Sequence, residues 1–354
     1  MSLARMVEGP TAWLPTGSDA AVIVSSRIRL ARNLEGAAFP GWAGEAECAR
    51  LQTRLLTALR AASALGDAPL VFDMNALTTI ERDVLRERHL ISLDLAHKGL
   101  GSGLVARTDE SLSVMINEED HLRLQAMRPG FTLDELWNEI NILDDQIEDQ
   151  IRYAFSHTMG YLTACPSNVG TGLRASVMLH IPALRLMDET EPVLKSLAAM
   201  DIAVRGLCGE GTDAAGNMFQ ISNQTTLGAS ETGLIRRLQA IVTEVAAHEE
   251  NARQRLIEER PSRLRDVVGR AYGIVRHAGV LPSNEALDHI SALHLGAALG
   301  ILKDTDISAL NRLLLWTQPG HLQWQLGRPV PPDERDELRA RMVAEALRSA
   351  RFER

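Results

Sequence analysis

The feature that most constrains this chain is a change of hydrophobic period partway along it. As far as about Glu231, apolar residues alternate with polar ones, the two-residue repeat of half-buried strands. Beyond it they recur every three or four positions, the repeat of helices. Ala21–Leu30, Pro69–Met74, Gly103–Thr108, Ser111–Asn117, Arg174–Ile181, Ile202–Leu207 and Asn217–Ser222 read as strands. Only Asp109 and Glu110 separate the third from the fourth, which predicts a hairpin and therefore antiparallel pairing. Between strands, Leu133, Leu136, Ile140, Leu143, Ile147 and Ile151 form the apolar stripe of a helix over Leu133–Ile151. A long amphipathic helix begins near Leu234, and Pro261 breaks or kinks it. No strand is expected from Ser262 to Arg354. The predicted class is α+β: a mainly antiparallel sheet flanked by helices in residues 1–260, then an all-helical domain in residues 261–354.

Composition narrows the setting. An apolar share of 45% suits a globular chain that buries a core. No apolar run approaches the roughly 18 residues of a membrane span, and the opening segment lacks the apolar centre of a signal peptide. Cys48, Cys165 and Cys208 are odd in number and far apart, so neither a disulfide framework nor a zinc ribbon is expected. A reducing, cytoplasmic setting fits them. The net charge of −9 argues against nucleic acid as a direct partner. Lysine occurs only at Lys98, Lys195 and Lys303, and the rest of the 37 basic residues are arginine. That matters where arginines meet glycine-rich turns, because the guanidinium fork grips phosphate bidentately and keeps its charge.

Four segments place charged residues at the ends of these strands. SSRIRLARN starts at Ser25, and alternation sets Arg27 and Arg29 on one face, where they repel unless an anion lies between them. NEEDHLR, from Asn117 to Arg123, closes an apolar strand with three acids. CPSNVGTGLRASVMLH, from Cys165 to His180, is a glycine-shaped loop feeding Arg174 into a strand; it lacks the Gly-Lys-Ser/Thr of a phosphate-binding Walker loop. The fourth opens at Arg205 into a glycine-rich loop containing Glu210. Singly, each is an exposed strand face or an acidic turn. Together they make an arginine cradle beside carboxylates, with no metal-binding or nucleophile motif. That combination suits a polyphosphate and points to phosphoryl transfer.

NEEDH, CPSN-x-GTG-x-RAS and RG-x-x-GE, in that order over about Val22 to Glu231, resemble the signature blocks of the ATP:guanido phosphotransferases, the arginine and creatine kinase family. Two departures from kinases of free guanidines resemble the bacterial protein-arginine kinase branch of that family. SSRIR already begins at Ser25, so the helical N-terminal domain of those kinases is not expected. The stretch ERDELRARM also carries an RDxxRA pattern at Arg335, Asp336, Arg339 and Ala340.

The resemblance implies an ATP site lined by Ser25, Ser26, Arg27, Ile28, Arg29, His89, Arg123, Arg174, Ala175, Ser176, Val177 and Met178. The run Arg205, Gly206, Leu207, Cys208, Gly209 and Glu210 completes it. Glu119 and Glu210 match the catalytic acids, and Cys165 the reactive thiol beside the substrate. Magnesium arrives on ATP, with Glu118 and Asp120 expected to hold it through water. Arg335, Asp336, Glu337, Leu338, Arg339 and Ala340 are expected to bind phosphoarginine as an allosteric motif. Implied partners are proteins presenting arginine, an activator, protease or chaperone machinery in stress-related quality control, and a second copy of the chain joined through the helical C-terminal region.

Chemistry explains the paired acids. A guanidinium titrates above about 12, so its nitrogens are poor nucleophiles at neutral pH. Two carboxylates can hold its N–H groups, align one nitrogen with the γ-phosphorus and take up the proton. Two other readings stay open here: a kinase of free arginine or another small guanidine, and an inactive phosphoarginine-binding adaptor.

Overall fold

The computed structural model describes residues 3–17, 22–206 and 215–353. Its strands are β1 (Ile23–Arg32), β2 (Leu70–Asp73), β3 (Gly103–Ala106), β4 (Leu112–Ile116), β5 (Leu122–Pro129), β6 (Phe155–Ser156), β7 (Gly160–Tyr161), β8 (Leu173–His180), β9 (Ile202–Gly206) and β10 (Met218–Asn223). Eight of them form one sheet in the order β2-β3-β4-β5-β1-β8-β10-β9, and β6 and β7 pair separately. From β2 to β1 every pairing is antiparallel, the β3–β4 hairpin included, as the alternation predicted. The chain divides into two compact units. The first comprises Met1–Trp13, Ser25–Ser176 and Ser222–Gln239; the second comprises Leu14–Val24, Val177–Ile221 and Ala240–Arg354.

In the first unit the register sorts side chains into two faces. Ile28 lies opposite Ala126, Leu30 opposite Leu124 and Arg32 opposite Leu122. Those apolar side chains are fully buried, and so are Leu136, Ile140, Leu143 and Ile147 on the helix Leu133–Glu148. This helix ends three residues before the expected Ile151. The other face pairs Arg27 with Met127, Arg29 with Gln125 and Ala31 with Arg123. Guanidinium groups therefore collect on the face that the apolar core does not use.

Arg32 belongs to the core face and has its own solution to burial. Its Nε lies 3.2 and 3.1 Å from the two Asp144 oxygens, and its Nη2 lies 2.6 Å from Oδ2. Nη1 donates to the carbonyls of Ala31 and Thr171. The Tyr161 ring stacks on the guanidinium at 3.5 Å. All of this ties the end of β1 to the helix Leu133–Glu148. Gly172 is required beside it, because a Cβ there would lie 2.7 Å from both the Ala31 carbonyl and Arg32 Nη1.

The second unit is mostly helical. Pro261 opens the helix Pro261–His277 directly after the helix Glu231–Glu259, with Arg260 out of helical geometry between them. Ser283–Ala298, Ile307–Trp316, Pro319–Leu326 and Pro332–Ala346 follow. One expectation is corrected here. Leu302–Lys303 and Arg351–Phe352 pair as a short antiparallel ladder, too brief to leave an alternating pattern in the sequence. Among the described residues no helix is long and apolar enough to cross a membrane.

Asp144→Ala should destabilise the protein by roughly 3–5 kcal/mol, because it strands a buried guanidinium. Urea unfolding measures this; a loss below 1 kcal/mol would show that solvent already relieves Arg32.

Candidate active site

Four guanidinium groups of the first unit share one electrostatic neighbourhood. Arg27 Nε donates to Ser176 Oγ at 3.4 Å. Arg174 Nε and Nη2 donate to Ser222 Oγ at 3.3 and 3.1 Å. Arg123 spans two acids, with Nη1 2.8 Å from Glu118 Oε1 and Nη2 3.1 Å from Glu119 Oε2. Arg29 sits among them with its Nε buried and no acceptor for it. Burial and the charges of Arg27, Arg123 and Arg174 push the Arg29 guanidinium well below its ordinary value; Glu118 alone pulls it back. An orphaned donor among repelling cations is a place built for an anion. The residues present fit a polyphosphate.

His89 borders this face in a left-handed backbone conformation, φ 59°. Gln125 Nε2 donates to its carbonyl at 2.8 Å, and the Trp13 ring meets its imidazole edge-on at 4.7 Å. Burial, then Arg27, Arg86 and Arg29, lowers its pKa from 6.5 to about 3. At neutral pH it is an uncharged ring among cations.

The three acids of the NEED loop have separate tasks. Both Glu118 oxygens are engaged: Oε1 by Ser92 Oγ and Arg123, Oε2 by the Glu119 amide. Asp120 is fully buried, and its Oδ1 accepts from Asn33 Nδ2 and the Ala164 amide. Neither the Glu118 nor the Asp120 carboxylate faces water. Only Glu119 does, with 41% of its side chain exposed. Partial burial raises its pKa, Arg123 opposes this, and Asp120, Glu118 and Asp94 add to the rise. Cys165 follows Ala164 and so hangs from the same loop, with its Sγ 3.0 Å from Ser167 Oγ.

Alternation divides the expected ATP-binding runs. Ser25 shares the arginine face of β1, whereas Ser26 and Ile28 point to the core face. Ser26 Oγ donates to the Gly130 carbonyl and accepts the Thr132 amide, pinning the turn into the helix Leu133–Glu148. Ala175 and Val177 are fully buried. The side chains of Ser26, Ile28, Ala175 and Val177 therefore pack into the fold, which leaves their main-chain groups as what these positions can offer a nucleotide. Ser176 stays with Arg27. Met178 lies in the second unit, as do Arg205, exposed near the end of β9, and Gly206, buried at that end. Leu207, Cys208, Gly209 and Glu210 lie outside the described residues.

The RDxxRA stretch lies on the helix Pro332–Ala346 in the second unit. Arg339 is 1% exposed and donates to the carbonyls of Thr317 at 2.8 Å and Leu281 at 2.7 Å, and also to Asp336. Arg339 thus joins helix ends, with Asp336 as its counter-ion. Glu337 is exposed, Arg335 and Leu338 are half-buried, and Ala340 is buried. Sequence reasoning missed Trp13, Ser92, Gln125 and Ser222. Of these, Gln125 carried a usable signal, because it alternates onto the face of β5 that holds Arg123.

The family described as ATP:guanido phosphotransferase, C-terminal catalytic domain, matches residues 51–252. The protein-arginine kinase McsB C-terminal domain matches residues 261–354. The chain belongs to the ATP:guanido phosphotransferase family. It is 45% identical to a protein-arginine kinase of Moorella thermoacetica over 96% of this chain and 98% of that one. A protein-arginine kinase of Brevibacillus brevis is 40% identical over 98% of each. Among solved structures, the duplicated taurocyamine kinase from Schistosoma mansoni with bound transition state analog components superposes with a TM-score of 0.60 at 26% identity. That match covers 71% of this chain and 36% of the larger one. Lombricine kinase, at 24% identity and a TM-score of 0.57, shares the fold over 70% of this chain and 75% of its own.

Protonating His89 is penalised in the folded state. The unfolded chain takes up this proton below pH 6.5 and the folded chain only near pH 3, so stability falls as pH drops through that window. Urea unfolding at pH 7 and pH 5 should show a smaller loss for His89→Gln than for wild type. Equal losses would mean that His89 is solvated.

Proposed function

We propose that this chain is an ATP-dependent protein-arginine kinase, moving the γ-phosphoryl group of ATP to arginine side chains of proteins to give phosphoarginine. The observation that carries the reading is the arginine face, where Arg29 keeps a buried, unsatisfied donor and the neighbouring Arg123 pairs with Glu119, the one solvent-facing acid of its loop. The names of the full-length relatives support a protein substrate. No observation favours a kinase of free guanidines or an inactive adaptor.

In this reading Arg27, Arg29, Arg123 and Arg174 hold the phosphates and stabilise charge on the transferring group. Arg205 joins them by its motif. Glu119 accepts N–H groups of the incoming guanidinium, aims one nitrogen at the γ-phosphorus and receives the proton as the P–N bond forms and the γ-phosphorus–oxygen bond to the leaving ADP breaks. Glu210 is its partner by motif. Cys165 contributes a polar sulfur beside the substrate. His89 offers a neutral ring to the nucleotide. Magnesium would be carried by the phosphates of ATP; among the described residues no three acids, histidines or cysteines are placed to hold a metal, and no step is assigned to it.

The wider reading rests on the motif resemblance: a cytoplasmic enzyme of two domains, residues 1–260 and 261–354, acting in stress-related quality control. It would form a homodimer through its helical C-terminal region and work with an activator and with protease or chaperone machinery. A phosphoarginine site at Arg335–Ala340 would use Arg335 and the partly exposed Asp336, whose carboxylate is held by Arg339. Calorimetric titration of phosphoarginine into wild type and Arg335→Ala should show binding that the variant loses; binding unchanged in the variant places the ligand elsewhere.

Incubation with ATP and an arginine-rich protein should yield acid-labile phosphate on the protein, well above the yield with free arginine. Glu119→Gln should lower turnover by roughly 100-fold or more while ATP affinity stays within a few-fold, as expected for loss of a general base. Arg174→Ala should weaken ATP binding and turnover together, because a phosphate clamp serves ground and transition states alike. Unchanged turnover in Glu119→Gln would remove this mechanism.

A further inference from the structure

A network centred on Asn33 ties the Glu119 loop to two solvent-facing segments. Asn33 Nδ2 donates to Asp120 Oδ1 at 2.6 Å and to the Leu162 carbonyl at 3.1 Å, and its Oδ1 accepts the His121 amide at 2.9 Å. His121 continues outward. Its Nδ1 accepts the Leu34 amide at 3.1 Å, its Nε2 lies 3.0 Å from the Ala38 carbonyl, and the Phe39 ring meets it edge-on. The Phe39 carbonyl accepts the amides of Trp42 and Ala43 at 2.8 and 2.9 Å, a tight turn that presents Trp42 with 90% of its surface exposed. On the other side, the Asn33 carbonyl accepts the Ala154 amide at 2.7 Å and the Glu35 amide donates to Arg152. That segment runs into the β6–β7 hairpin, where Phe155 is 52% and Met159 47% exposed.

Large apolar side chains held this open are a contact surface more often than an accident. Tryptophan in particular offers a wide contact area at small entropic cost. We propose that Trp42, with Phe155 and Met159, is the docking surface for the polypeptide flanking the target arginine. It takes extended segments that carry an apolar or aromatic side chain a few residues from that arginine. The proposal rests on the kinase reading and names its substrate class.

Three features select this occupant over others. The surface is continuous with the Glu119 loop through His121 and Asn33, so whatever sits on it sits beside the candidate reaction site. Its reach also fits: the Phe39 ring meets that of His121, two residues from Glu119, and Phe39 holds the turn that presents Trp42, so an extended peptide of a few residues spans the two. The exposed acids Glu35, before Trp42, and Glu45, at the start of the helix Glu45–Ala61 after it, favour a cationic segment over an acidic one. A small guanidine is too short to touch any of it.

The test uses the full chain and three substrates: N-acetylarginine methylamide, an arginine peptide with leucine and phenylalanine flanks, and the same peptide with glycine and serine flanks. Steady-state kinetics are paired with anisotropy of the labelled peptides. Trp42→Ala should raise KM and Kd for the apolar-flanked peptide about tenfold, the loss of one interface hot spot. kcat, and all values for the small guanidine, should be unchanged. Phe155→Ser with Met159→Ser should act in the same direction. Equal effects on all three substrates, or none, overturn the proposal. A change in sedimentation of Trp42→Ala also overturns it, because the surface then seats a second copy. If wild type binds the apolar peptide through Trp42 but phosphorylates no substrate, docking stands and the kinase reading falls.

Discussion

The rest of this structure depends on the repulsion among Arg27, Arg29, Arg123 and Arg174. Two unit charges about 5 Å apart in an effective dielectric near 20 repel by roughly 3 kcal/mol, and four such groups multiply that cost. The protein offsets it only in part. Serine hydroxyls take Arg27 and Arg174, and Glu118 and Glu119 take Arg123, while Arg29 keeps a buried donor without an acceptor. The deficit that remains has the sign and the shape of a polyphosphate. Stability given up here becomes affinity for the anion that completes the face.

Such a face needs a rigid floor, and the apolar side of the sheet supplies it. Ile28, Leu30, Leu122 and Leu124 are fully buried, and the Arg32–Asp144 pair clamps the end of β1 to the helix Leu133–Glu148. Arg32 and Arg29 are three residues apart, both short of solvent, and opposite in fate. The one facing the core has a carboxylate, two carbonyls and an aromatic ring. The one facing outward lacks an acceptor for its Nε. The two-residue period of a strand decides which is which.

Much of this was legible in the sequence, because alternation is a strong signal and arginines within it are rare enough to notice. The strands, the β3–β4 hairpin, the break at Pro261 and the shared face of Arg27 and Arg29 all follow from periodicity. A motif read as a continuous run was less reliable. In SSRIR and RASVM a linear block hides the fact that every second side chain turns away, so it does not show that the side chains of Ser26, Ile28, Ala175 and Val177 pack into the core. The burial of the NEED loop was hidden in the same way: nothing in three adjacent acids shows that two are enclosed in hydrogen bonds and the third is left in water. The bonds of Arg339 were hidden because helical spacing shows which side chains share a face and not what lies against that face. The Thr317 and Leu281 carbonyls are 22 and 58 residues away in sequence. The Leu302–Lys303 ladder was invisible because two residues cannot show a period.

Arg123 connects the two halves of the chemistry. It belongs to the arginine face by register, opposite Ala31, and to the acid loop by its bonds to Glu118 and Glu119. Its two acids are not alike. Glu118 is buried and triply held, so its link to Arg123 fixes where that guanidinium stands. Glu119 is half in water, so its link is an exposed one and contributes little. An anion drawn to Arg123 therefore competes with the weaker partner first. The carboxylate set free by that exchange is the one within reach of solvent, where a second guanidinium, the substrate's, can replace the first.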